Sequence, residues 1–134
     1  MNLETYSRAQ VARFCIGEAA HYGGINHMLA VAWIIHNRVM DGQGDWLEVL
    51  EQAPEKRMYQ FEQPKIDYRN AHIRTFLQRV DEIATGREEE DPTNGALWYT
   101  DSTLPQKSKY LDAIQRNRQD HQLVAQNNPF LMFD

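Results

Sequence analysis

The eight consecutive apolar residues Met28-Leu-Ala-Val-Ala-Trp-Ile-Ile35, stopped at once by His36-Asn37-Arg38, constrain this chain more than any other feature. A helix that spans a bilayer needs about 20 such residues, so the run is too short and no membrane span is expected. Being apolar nearly all round, it suits a helix sheltered on every side, with the rest of the chain as its covering. A length of 134 residues fits a single domain whose core forms without metal or disulfide staples, and one cysteine, Cys15, cannot make an internal disulfide. The formal charge of -5 argues against a broad phosphate-binding surface, so nucleic acid is not expected as a partner.

Around that central helix the patterning predicts further elements. From Leu3 to Ala20 the residues Leu3, Tyr6, Val11, Phe14, Cys15 and Ala19 return mostly at three- or four-residue steps, a first helix broken by His21-Tyr-Gly-Gly. Asn26 is placed to cap the central helix, which runs to about Val39 or Met40. Asp45-Trp-Leu-Glu48 has capping-box spacing and predicts a short helix through about Gln52. Residues 53–66, with Pro54 and Pro64, suit a long ordered loop. The stripe Ile73, Phe76, Leu77, Val80, Ile83, Ala84 predicts another helix, closed by Gly86. The acidic run Glu88-Glu-Glu-Asp91 reads as a solvated surface turn. Asp91-Pro-Thr-Asn-Gly95 is turn chemistry leading into a strand at Ala96–Thr100, and Leu123–Ala125 with Phe130–Phe133 suits a hairpin. The expected class is α+β, mainly helical, with a small antiparallel sheet.

Glu18 lies between Gly17 and Ala19-Ala20, close in sequence to Phe14 and Ile16. A glutamate half-screened by apolar groups holds its proton nearer neutral pH, as a general acid must, and its tiny neighbours let a bulky ligand approach. Taken alone, the same residue reads more readily as an ordinary solvated helix glutamate. Asn37 and Arg38 read as structural, the amide satisfying backbone groups and the guanidinium pairing with a carboxylate. His21 and His27 lack the spacing that puts two ligands on one helical face, and no paired-cysteine pattern exists, so neither a metal nor another cofactor is expected. Cys15 lies on the apolar stripe and reads as a small core residue rather than a nucleophile.

Four segments in a fixed order carry a resemblance: Ala12-Arg-Phe-Cys-Ile-Gly-Glu18-Ala, Ala30-Val-Ala32 leading to Asn37-Arg-Val39, Gln60-Phe61, and Asp91-Pro-Thr-Asn-Gly-Ala-Leu-Trp-Tyr99. Together they resemble the SleB-like cell wall hydrolase family of spore-cortex lytic enzymes, over roughly residues 9–130. The resemblance implies a lysozyme-like fold and cleavage of peptidoglycan glycan strands between N-acetylmuramic acid and N-acetylglucosamine, generally as a lytic transglycosylase. It assigns the catalytic acid to Glu18. It also favours Tyr99 as the residue facing the cleft; because alternate strand residues face opposite ways, Trp98 is then expected in the core. Tyr59, Phe61 and Tyr99 offer flat faces for sugar rings, while Gln60 and Asn94 suit N-acetyl groups.

Three positions depart from the family pattern. Glu62 stands where Gln-Phe-Ser is usual, Asn127-Asn128-Pro129-Phe130 replaces Asn-His-x-Phe, and Tyr110 occupies a tryptophan position. Glu62 raises the prospect of a hydrolytic outcome, since ordinary glycosidases use a second carboxylate; Asp91, the other candidate, is expected to organise its turn. The alternative to an enzyme is a non-catalytic glycan-binding or virion structural module of the same fold. The N-terminus shows no secretory signal, so the expectation is synthesis in the cytoplasm and action on the bacterial wall after delivery by a holin, a virion or a secretion machinery. A phage lysin, a virion-associated protein and an injected antibacterial effector all suit that pattern.

Overall fold

The computed structural model describes residues 5–19, 24–52, 66–88, 90–101, 122–127 and 130–133. Among the described residues four helices precede three strands: α1 (Thr5–Ala19), α2 (Ile25–Met40), α3 (Trp46–Gln52), α4 (Ala71–Ala84), β1 (Trp98–Asp101), β2 (Leu123–Asn127) and β3 (Phe130–Phe133). The protein is mainly helical with a small antiparallel sheet of order β1-β3-β2. No helix among the described residues is long and apolar enough to cross a membrane.

The apolar run behaves as its composition requires. Every residue from Met28 to Ile35 is buried, and α2 packs against α1, α3 and α4. Around it lie Val11, Phe14 and Cys15 of α1, Trp46 and Val49 of α3, and Phe76, Val80 and Ile83 of α4. Each large aliphatic side chain so enclosed contributes about 1.5–3 kcal/mol relative to leaving it in water.

The helix ends are set by local chemistry. Asp45 and Glu48 form the expected capping box, with Glu48 N donating to Asp45 Oδ1 at 2.8 Å and Asp45 N donating to Glu48 Oε1 at 3.3 Å. Asn70 caps α4 by accepting from the amides of His72 and Ile73. At the other end Gly86 takes φ +75, where Arg87 N donates to Glu82 O and Gly86 N to Ile83 O. That pair of bonds is a Schellman motif, and it recurs at Gly42, φ +85, after α2.

Two local expectations are corrected. Asn26 does not cap α2: the cap lies two residues earlier, at Gly24, which makes no side-chain bond, and the helix starts at Ile25, whose side chain packs against the core. The acidic run is not merely solvated either. The Schellman turn reverses the chain so that Glu88 meets the Arg79 guanidinium on α4, and Asp91 is committed to the turn described below.

In the sheet, Tyr99 pairs with Met132 and Asp101 with Phe130, while Asn127 and Phe130 face each other across the β2–β3 reversal. The register of β2 shifts between Leu123 and Ala125, leaving Val124 as an extra residue. Since opposed residues share a face, Tyr99 lies on the side of Met132 and Phe130, both buried.

Candidate active site

Glu18 sits on the last turn of α1, half-buried, between exposed Gly17 and fully buried Ala19. Cys15, one turn earlier and wholly buried, lies in its electrostatic reach: burial first and the Glu18 carboxylate second push the Cys15 thiol well above its ordinary range. Cys15 is therefore a neutral core residue, as the apolar stripe implies, and α1 presents the carboxyl group at the boundary between core and solvent.

Across from it, Tyr99 on β1 donates its hydroxyl to Glu18 Oε2 at 2.9 Å, closing a sequence separation of 81 residues. The Tyr99 ring packs on Phe130 with centroids 5.4 Å apart, and His27, from the first turn of α2, meets Phe130 edge-on at the same distance. Trp98 projects to the opposite face. It is half-buried rather than in the core, and the Arg38 guanidinium lies 4.2 Å above its ring. Trp98 is therefore not a core residue: its ring lies on the sheet face opposite Tyr99, Phe130 and Met132, and the guanidinium that α2 extends to that face stacks on the indole.

The turn before β1 is held by an interlocked set of polar groups. Asp91 Oδ1 accepts from Thr93 N at 2.8 Å and Thr93 Oγ1 at 2.6 Å, and Asp91 Oδ2 accepts from Gly95 N at 2.8 Å and Asn37 Nδ2 at 2.9 Å. Four donors fill the roughly four lone-pair positions of a carboxylate, so the acceptor capacity of Asp91 is taken up inside the turn and by Asn37. Its part is to organise the turn, as the Asp-Pro-Thr-Asn-Gly pattern implies. Asn37 Nδ2 also reaches Thr93 Oγ1 at 3.2 Å and the Ala96 carbonyl at 3.0 Å. Arg38 Nε donates to the Leu97 carbonyl, and Arg38 is buried.

Asn94, with φ 53, donates Nδ2 to the Val124 carbonyl at 2.8 Å. It thereby ties the turn to the irregular point of β2, where a bulge disrupts the ladder. Of the residues expected to meet a substrate, the structure brings Glu18 and Tyr99 together and gives Asn94 this structural bond. Tyr59, Gln60, Phe61 and Glu62, and Tyr110, lie outside the described residues. Sequence reasoning missed Thr93, a fully buried hydroxyl, and the ring contacts of Phe130 and His27. The Asp-x-Thr spacing was the available signal for Thr93, since an aspartate oxygen commonly accepts from the amide two residues on. Comparison with protein-family models, curated proteins and solved structures finds no match to the chain.

Proposed function

We propose that this protein cleaves peptidoglycan glycan strands between N-acetylmuramic acid and N-acetylglucosamine, as a lytic transglycosylase on a lysozyme-like fold, with Glu18 as the acid and then the base. The observation that carries the reading is the Tyr99–Glu18 hydrogen bond, because it unites the two most informative segments of the resemblance, Gly17-Glu18-Ala19 and Asp91–Tyr99, at one half-buried carboxyl group.

A glycosidic oxygen leaves poorly until it is protonated. Glu18 gives its proton to that oxygen as the bond to C1 of the muramic acid breaks through an oxocarbenium-like transition state. The muramic acid's own 6-hydroxyl then bonds to C1, and the Glu18 carboxylate takes the hydroxyl proton. The acid is regenerated and no water is consumed. Tyr99 donates to the carboxylate, supports its ionised form between the two steps and fixes its orientation. Tyr59 and Phe61 supply faces for the sugar rings, Gln60 bonds an N-acetyl group, and Asn94 contributes Oδ1 while Val124 holds its amide. Glu62 is the residue that gives a hydrolytic product if it activates water. No cofactor enters the reaction, and the protein reaches the wall through a delivery partner.

Glu18→Gln keeps the shape of the side chain and removes its proton. Turnover on purified peptidoglycan should fall by roughly 10²–10⁴-fold, the usual contribution of a general acid, with thermal unfolding unchanged. A folded Glu18→Gln protein with near wild-type turnover overturns the assignment.

A further inference from the structure

The polar end of α2 does more than satisfy buried backbone. We propose that Asn37 is a positioning residue, setting through Asp91 and Thr93 the register in which β1 delivers the Tyr99 hydroxyl to Glu18. The inference rests on Glu18 being the reacting group.

Asn37 Nδ2 has two hydrogens and three acceptors, Asp91 Oδ2, Thr93 Oγ1 and Ala96 O, all within 3.2 Å, so it draws the two ends of the turn onto one point of α2. Arg38, the next residue, takes the Leu97 carbonyl and covers the Trp98 ring. Leu97 N then donates to Phe133 O at 2.8 Å and starts the ladder with β3. Ala96, Leu97 and Trp98 are thus each fixed from α2, and the following residue is Tyr99.

A one-residue slip of a strand moves every side chain to the other face. Here it would exchange Tyr99 for Trp98 on the face shared with buried Phe130 and Met132, and the hydroxyl would leave Glu18. The other side of the frame is equally fixed, because α1, which carries Glu18, packs directly on α2. One helix therefore sets the position of both partners, through apolar packing for Glu18 and through Asn37 for Tyr99. A purely structural asparagine would affect stability and leave the Glu18 carboxyl as it is.

The test compares Asn37→Ala, Thr93→Val, Thr93→Ser and Tyr99→Phe, with the first two also combined with Tyr99→Phe. The first readout needs no substrate: a heteronuclear NMR titration of the Glu18 side-chain carboxyl. Loss of a donor to the carboxylate disfavours its charged form, so Tyr99→Phe moves the midpoint upward. Asn37→Ala and Thr93→Val should move it in the same direction, and neither should add a shift in the Tyr99→Phe background. Thr93→Ser, which keeps the hydroxyl, should stay at wild type.

The second readout is kcat and KM on purified glycan strands. Asn37→Ala and Thr93→Val should lower kcat about tenfold with KM within about twofold, as expected for a misplaced catalytic group. Thr93→Val is nearly isosteric and carries the same test where Asn37→Ala does not fold. Folded variants that lose thermal stability but leave the Glu18 midpoint and kcat unchanged overturn the proposal, as does a shift that persists without the Tyr99 hydroxyl. Should the midpoints move as described while the wild-type protein releases no glycan fragments, the positioning relation stands and the glycan-cleaving reading falls.

Discussion

From Met28 to Ile35, α2 is enclosed by apolar side chains of three other helices, whereas two residues later the same helix holds the β1 turn by hydrogen bonds from Asn37 and Arg38. Apolar burial is strong and non-directional, so it fixes the helices as a block while tolerating small displacements. Hydrogen bonds add less stability, but their short range and angular demands fix individual atoms. The helical layer is accordingly expected to supply most of the folding free energy, and the junction with the sheet the placement of Tyr99 against Glu18.

The largest expected effect falls on the helical side. Phe76→Ala empties a fully buried position on α4 and should cost about 3–5 kcal/mol in denaturant unfolding. A cost below about 1 kcal/mol would mean that the helices are not the stabilising layer. Next comes the opposite case. Tyr99→Phe should cost only about 0.5–1.5 kcal/mol of stability, as for a single hydrogen bond. Its kcat on peptidoglycan should nonetheless fall about tenfold, equivalent to ~1.4 kcal/mol at the transition state. Since the donor supports the charged carboxylate, the loss of activity with rising pH should begin at higher pH in this variant. A large loss of stability with unchanged kcat would reverse the division between the two regions.

The smallest effect concerns His36, which lies where the two regions meet. Its ring packs against Trp33 and Trp46, with centroids 5.6 and 5.8 Å away, and Nδ1 is buried without a hydrogen-bond partner among the described residues. Burial lowers its pKa from the usual 6.5, with Asp91 opposing that shift. The unfolded chain therefore takes up the proton first as pH falls. Stability should decline from about pH 6.5 down to the lower pKa of the folded state and then level off. His36→Phe keeps an aromatic ring and removes the titration, so thermal melts at a series of pH values should show a shallower acid-side decline. An identical decline in both proteins would assign the pH dependence to other groups.

Legibility in the sequence followed the same division. The helices were readable because apolar periodicity is a local signal, and the Asp45–Glu48 capping box and the Gly86 cap came from short patterns with a direct geometric meaning. The exact start of α2 was not, because burial of Ile25 outweighed the capping preference of Asn26. The half-burial of Trp98 was hidden for a different reason: alternation says that Trp98 and Tyr99 face opposite ways, but not that an arginine covers one side. The Asn37 bonds span 54 to 59 residues, and no local pattern announces partners so distant. At the site, Glu18 and Tyr99 were each singled out by resemblance, while their contact across 81 residues emerged only in the fold.

The most direct measurement of the central claim is mass spectrometry of the muropeptides released from purified peptidoglycan by the wild-type protein. The internal 6-hydroxyl is held beside the reacting carbon, whereas water must be positioned by a second base, and Asp91 is committed to its turn. With Glu18 as acid and then base, the released fragments should carry 1,6-anhydromuramic acid ends, lighter by one water than reducing ends. Reducing muramic acid ends would contradict the transglycosylase step and direct attention to Glu62 as a water-activating base, and an undigested glycan would contradict the assignment of Glu18 as a glycan-cleaving acid.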